Sequence, residues 1–168
     1  KCNNLVSLNH GTSKRYLWYN IKSEFELLGR YLIMNEKEWA VRLQPYQQTV
    51  DELKVKLRGM RPEFNLAGIQ TPVEFVTGRV KTVDAIEEKM VRRHIEDDRL
   101  EKDMEDLAGV RIMTQFTDDI YKVVDLLRQR KDMTILEERD YVTNAKPSGY
   151  RSYHIVIEYP LQLITGEH

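Results

Sequence analysis

Residues 150–159 run Tyr-Arg-Ser-Tyr-His-Ile-Val-Ile-Glu-Tyr, and this alternation constrains the fold more than any other stretch of the chain. Side chains alternate faces along a strand, so Tyr150, Ser152 and His154 share one face while Arg151, Tyr153, Ile155 and Ile157 share the other. A strand with one apolar face needs a sheet beside it and a cover over that face. The approach is a turn, Lys146-Pro147-Ser148-Gly149, in which proline presets φ and glycine suits the close. Two readings of the polar face stay open. One is an ordinary wet face. The other is a working surface, where an aromatic ring, a hydroxyl and an imidazole, entered past a lysine, stack a base and hold phosphate.

Upstream, Trp39, Leu43, Tyr46, Val50, Leu53 and Leu57 fall at alternating spacings of four and three, which predicts a helix from Asn35 to Gly59 with an a/d seam. Pro45 should kink it or mark a restart. The seam is either a core face or a self-association surface. Lys54, Lys56, Arg58 and Arg61 suit a helix C-terminus and an anion alike. After a breaker ending at Pro72, Val73–Val76 opens a second segment. Thr82 is placed to cap a helix whose Val83, Ile86, Met90 and Val91 face the core. Ile95 to Met104 reads as a mobile connection or frayed helix. Asp106 to Ile112 passes from a helix end through Gly109 into a strand. Thr117-Asp118-Asp119 starts a helix with Ile120, Val123, Val124 and Leu127 on one face, and Met133 to Val142 reads as the next strand. The order predicts an α/β or α+β fold with a mixed sheet covered by helices.

Length and charge narrow the function classes. The 168 residues suit one domain. A net charge of −1 removes any global argument for nucleic acid, so no DNA partner is expected and a polyanion site must be local. The single Cys2 excludes an internal disulfide framework and a cysteine-based metal site, in keeping with a reducing cytoplasmic setting. No apolar run is long enough to span a bilayer, and no membrane partner is expected.

Local cations do cluster. Arg79 and Lys81 sit two apart, so an extended backbone aims both the same way, and Lys89, Arg92 and Arg93 lie about a turn apart on the next helix. They are either a solvated face or a phosphate site. His94 reads as a helix-end residue, since no second metal ligand stands at usable spacing. Asp106 and Arg111 either flank one cleft, where the carboxylate is the hard oxygen Mg²⁺ prefers, or simply pair with each other.

Taken together, Arg79-Val-Lys81, Lys89 with Arg92, Asp106-Leu-Ala-Gly-Val-Arg111 and Gly149-Tyr150-Arg-Ser152-Tyr-His154 stand in the order and spacing of RelA/SpoT-type alarmone synthetase domains. With the Asn35 helix, residues 34–168 resemble a bacterial small alarmone synthetase, of nucleotidyltransferase-like fold. The resemblance implies transfer of pyrophosphate from ATP to the 3′-hydroxyl of GDP or GTP, making ppGpp or pppGpp. It implies that Arg79 and Arg111 sandwich adenine, that Lys81, Lys89 and Arg92 hold the ATP phosphates, and that Asp106 binds Mg²⁺, which makes Asp106, Lys89 and Arg92 the catalytic set. It further implies that Tyr150 stacks on guanine while Lys146 and His154 reach the acceptor's phosphates. Lys54, Arg58, Arg61, Glu74, Phe75 and Thr77 resemble a regulatory alarmone site between subunits, and a homotetramer is implied with it. No hydrolase is suggested, because the His-Asp metal cluster it needs is absent.

Two departures accompany the resemblance. Residues 1–33 scatter their apolar side chains without a sustained period and lack the pattern of a signal peptide. Met34 looks like a natural start behind a purine-rich Gly29-Arg30 codon pair, so 1–33 is read as a translated, non-native or disordered leader, with a genuine extension as the alternative. At the other end, the family continues past a turn like Gly166-Glu167 into a strand bearing Glu-x-Gln-x-Arg, and the chain as given stops at His168. It is therefore expected to be a partial synthetase domain that makes no product unaided. The alternative function is a catalytically silent nucleotide-binding or subunit-interaction module.

Overall fold

The computed structural model describes residues 4–10, 34–144, 151–164 and 166–167, and of the first seven and the last two only the backbone. A mixed sheet organises the chain. Its strands are β1 (Asn4–His10), β2 (Phe75–Val80), β3 (Ala108–Thr114), β4 (Thr134–Asp140) and β5 (Ser152–Glu158), in the spatial order β2-β3-β1-β5-β4. Only the β1–β5 pairing is parallel; β1–β3, β2–β3 and β4–β5 are antiparallel. A short β6–β7 hairpin (Gln162–Leu163, Gly166–Glu167) follows.

The helices are α1 (Glu36–Leu66), α2 (Val83–Arg93), α3 (Leu100–Asp103) and α4 (Asp118–Arg128). Asn35 starts α1 with a capping box, its side chain accepting from the Glu38 amide while the Glu38 carboxylate accepts from the Asn35 amide. Trp39, Tyr46, Val50, Leu53 and Leu57 are buried and Leu43 packs against them, so the seam is a core face. The helix does not stop at Gly59. It continues through Pro45 and Pro62 to Leu66, and Gly68 closes the turn with φ 67°. Lys54, Lys56, Arg58 and Arg61 therefore lie within it, and its last turn carries no cation.

One face of the sheet is buried under helices, while the other is open along β2 and β3 but closes over Ser152 and Val156 of β5; the register shows which residues share a face. Val110 and Ile112 of β3 lie level through Leu8 and Val6 with Ile155 and Tyr153 of β5, so these side chains share a face. On that face a Cβ at Gly78 would stand 2.7 Å from Val50 Cγ1 of α1, which requires glycine there. Tyr153 meets Tyr121 of α4 edge to face on the same side. Helices α1 and α4 thus cover one face together. The alternate residues, Arg79 on β2 and Arg111 on β3, are exposed on the other.

Several expectations are corrected. Asn4–His10 forms a strand inside the sheet, between β3 and β5, which the sequence reading did not assign; residues 11–33 lie outside the described ones. The connection from Ile95 to Met104 is anchored, because Ile95, Leu100 and Met104 are buried. Val91 is 54% exposed and not a core residue. Thr82 and Thr117 sit at the N-cap positions of α2 and α4, yet neither side chain makes the cap hydrogen bond.

Candidate nucleotide site

The open face is built from two strand pairs. Antiparallel register places Arg79 opposite Gly109 and Thr77 opposite Arg111, so Arg79 and Arg111 are diagonal neighbours on one face. Diagonal positions stand roughly 7–8 Å apart, the distance that leaves room for one flat ring between two guanidinium planes. On β5, His154 lies level with Ser7 of β1 and Arg139 of β4, and Ser7 lies level with Arg111. Arg111, His154 and Arg139 therefore address the same side, as the alternation of residues 150–159 predicts. Tyr141, just past β4, stands edge to face against His154, with ring centroids 5.2 Å apart. Lys146 and Tyr150 lie outside the described residues.

At the mouth of β2 and β3 the cations converge on one acid. The backbone N–H of Lys81 donates to the Leu107 carbonyl at 2.8 Å, carrying the strand pairing one residue past β2. Its ammonium then reaches Asp106 Oδ2 at 2.9 Å, while the Lys89 ammonium, on the inner side of α2, reaches Asp106 Oδ1. Lys89 is almost wholly buried and Asp106 partly exposed. Partial burial works to raise the Asp106 pKa, but the hydrogen bonds and charges of Lys89 and Lys81 outweigh it and hold the carboxyl below its usual range. Asp106 does not pair with Arg111. Arg92, expected in the same cluster, is on the solvent side of α2, 3.7 Å from Glu88.

Mg²⁺ fits this site only together with phosphates. Asp106 supplies a hard oxygen, but both of its oxygens accept from lysines, and no group of three metal-ligating acids, histidines or cysteines occurs among the described residues. A magnesium ion keeps several waters and is commonly held by one or two carboxylates plus substrate phosphates, which matches such a donor set.

The residues expected to form a regulatory site are spread around the free edge of β2. Arg58 and Arg61 of α1 donate to the carbonyls of Val76 and Glu74, each at 3.0 Å, and so cover that edge. Lys54 pairs with Asp51 at 2.9 Å. Phe75 and Thr77 lie level with Met113 and Arg111, on the open face and away from α1.

Sequence reasoning passed over Arg139 and Glu105, which pair at 3.3 Å beside the open face, and Arg42 of α1. The period of two through Glu137 and Arg139 was a usable signal. Arg42 gave none, being one polar residue among many on the wet side of a heptad.

Comparison with known proteins decides the family. A model described as the region found in RelA / SpoT proteins matches residues 78–167, just over half of the chain. The chain belongs to the RelA/SpoT family. It is 51% identical over 134 residues to the GTP pyrophosphokinase YjbM of Bacillus subtilis, covering 80% of this chain and 63% of that protein. The small alarmone synthetase 1 of B. subtilis, solved bound to its product pppGpp, superposes with TM-score 0.74 at 50% identity, over 79% of this chain and 69% of that one. The same enzyme bound to AMPCPP gives TM-score 0.69 at 46% identity, over 79% and 66%. This RelA/SpoT-family chain thus spans about two thirds of the length of these relatives, and the expected α/β fold with a mixed sheet is the one it has.

Proposed function

We propose that the chain carries the donor and acceptor sites of an ATP:GDP/GTP 3′-pyrophosphotransferase that makes ppGpp and pppGpp. The observation that carries the proposal is the Lys81–Asp106–Lys89 cluster standing beside Arg79 and Arg111 on an open sheet face. Arg79 and Arg111 clasp the adenine between guanidinium planes. Lys81 and Lys89 turn from Asp106 to the triphosphate and neutralise the charge that builds during transfer. Arg92 joins them only by leaving Glu88. On the β5 side, His154 with Lys146 holds the acceptor's phosphates and Tyr150 stacks on its guanine. The 3′-oxygen forms a bond to the β-phosphorus of ATP, the bond from that phosphorus to the α,β-bridging oxygen breaks, and AMP leaves with that oxygen; the hydroxyl proton passes to solvent. Mg²⁺, held by Asp106 and the phosphates, supplies charge neutralisation when bound. The same reading places the enzyme in the bacterial cytoplasm as a homo-oligomer, a tetramer, with Lys54, Arg58, Arg61, Glu74, Phe75 and Thr77 lining a regulatory alarmone site between subunits.

Support comes from the relatives: a GTP pyrophosphokinase, and a small alarmone synthetase solved with its product pppGpp and with AMPCPP. The test is calorimetric titration of this chain with Mg·ATP and with GDP. Lys89→Ala is expected to remove ATP binding and leave GDP binding unchanged. Tyr150→Ala is expected to do the reverse, weakening GDP by about 1–3 kcal/mol, the scale of stacking a base on an aromatic ring. Equal losses for both nucleotides in either variant would refute the two-site assignment. A chain that binds both nucleotides yet yields no labelled alarmone, even when it also carries a Glu-x-Gln-x-Arg strand, would favour the silent binding module.

A further inference from the structure

The two lysine-bearing and carboxylate-bearing ends of the donor cluster are joined by a connection that has little regular structure of its own. After Lys89, α2 ends at His94 in the left-handed conformation (φ 54°); a single 3₁₀ turn, Asp97–Arg99, and the four-residue α3 follow, and Asp106 comes two residues before β3. The relative placement of Lys89 and Asp106 therefore depends on what holds this connection. Its underside is buried at Ile95, Leu100 and Met104, which fixes its depth but not its slide along the surface. One side chain of α1 grips it from above.

That side chain is Arg42. Its Nη1 donates to Asp97 Oδ1 at 2.5 Å and its Nη2 to the Asp97 carbonyl at 2.7 Å. Its Nε and Nη2 donate to Glu101 Oε1 and Oε2 at 2.7 and 2.9 Å, a bidentate fork. The guanidinium is largely buried. One turn earlier on the same helix, Trp39 Nε1 donates to Glu87 Oε1 of α2 at 3.1 Å, two residues before Lys89. The first turns of α1 thus fasten both the helix that carries Lys89 and the segment that leads to Asp106. A rigid planar fork fixes orientation as well as distance, which a lysine at the same place does not.

We propose that Arg42 is a positioning residue for the donor nucleotide: through Asp97 and Glu101 it sets the spacing of Lys89 and Asp106 at which a triphosphate binds. It touches neither nucleotide. The inference rests on the function proposed above and has its own test. Mg·ATP and GDP are titrated into the wild-type chain, Arg42→Ala and Arg42→Lys, and each protein's thermal midpoint is measured. Arg42→Ala is expected to weaken ATP about tenfold, the usual cost of losing a residue that orients a binding group, with GDP affinity and both binding stoichiometries unchanged. Arg42→Lys is expected to fall between. A purely structural role would lower the stoichiometry for both nucleotides together and leave the affinities alone, and that result overturns the proposal. So does ATP affinity equal to wild type in Arg42→Ala. If Arg42→Ala does not fold, Arg42→Lys and Glu101→Gln are read in the same way, a selective loss of ATP affinity supporting the proposal and none refuting it. A wild-type chain that binds no ATP overturns this inference and the donor-site assignment together. Normal wild-type binding with an unaffected variant overturns this inference alone.

Discussion

Two carboxylates in this molecule each sit between two cations, and they do different jobs. Asp132, in the turn after α4, accepts from Arg130 through both oxygens, at 2.8 and 2.7 Å, and from Lys56 of α1 at 3.0 Å. Lys56 also donates to the Tyr159 hydroxyl, which in turn donates to Glu52, so the group closes on itself and fastens α1 to the end of β5. Asp106 has two lysines instead. A lysine is a compact charge on a flexible stem with three donors, so it can be redirected, whereas the planar arginine fork at Asp132 is spent on one partner. The first cluster reads as a fastening and the second as a set of charges waiting for a polyanion.

That contrast can be broken by substitution. After the loss of ATP binding in Lys89→Ala, the largest effect is expected for Lys81→Ala: ATP affinity falls on the order of a hundredfold, about 2.7 kcal/mol, while the urea unfolding midpoint scarcely moves. Asp132→Asn should show the opposite, a loss of about 1–2 kcal/mol in urea unfolding with ATP affinity unchanged. If both variants lost stability and neither lost ATP, the two clusters would be alike and the contrast would collapse.

Acid sharpens the comparison further. The hydrogen bond from Arg130, then that from Lys56, holds the Asp132 carboxyl at about 2, against an ordinary 3.8. A folded-state pKa below the unfolded one means that the group's stabilisation is present above 3.8 and is lost as pH falls through about 2. Stability measured from pH 5 downward should therefore drop less steeply in Asp132→Asn than in wild type. An identical slope in the two proteins would show that Asp132 is not a fastening.

The smallest effect belongs to Arg92. Its one described ion pair, with Glu88 on the same helix, lies between two well-exposed side chains. Surface pairs of this kind contribute roughly 0.3–0.5 kcal/mol. Arg92→Ala should leave stability within that margin and weaken ATP by less than Lys81→Ala does. A loss equal to that of Lys81→Ala would show that Arg92 swings into the phosphate site.

How much of this was legible in the sequence depends on whether a feature repeats locally. The helix with Ile120, Val123, Val124 and Leu127 and the alternating strand around Ile112 announce themselves, because each element buries one face at its own period, and both are where the pattern put them. The α2–β3 connection does not, since Ile95, Leu100 and Met104 are buried at irregular intervals that fit neither period. The end of α1 was misplaced because Gly59 and Pro62 are breakers only on average, and packing of Met60 carries the helix past them. The cations of the donor site were legible as a group; that Lys81 and Lys89 meet on Asp106, while Arg92 faces away, is a matter of tertiary placement. That Asn4–His10 joins the sheet was not legible, because a sheet-centre strand is defined by its partners, and these lie far along the chain in β3 and β5.

The place of β1 has a consequence for how the chain is born. Both of its neighbours, β3 and β5, are made long after it, so as the polypeptide leaves the ribosome this strand emerges with nothing to pair with. The β2–β3 pair with α1, and the β4–β5 pair with α4, can each assemble from residues close in the chain, while the joint between them waits for the last strand. Contacts that close the longest loops are expected to form late and open first. Amide exchange in β1 should accordingly outpace that in β3, making this central seam, rather than either outer edge, the point where the sheet gives way.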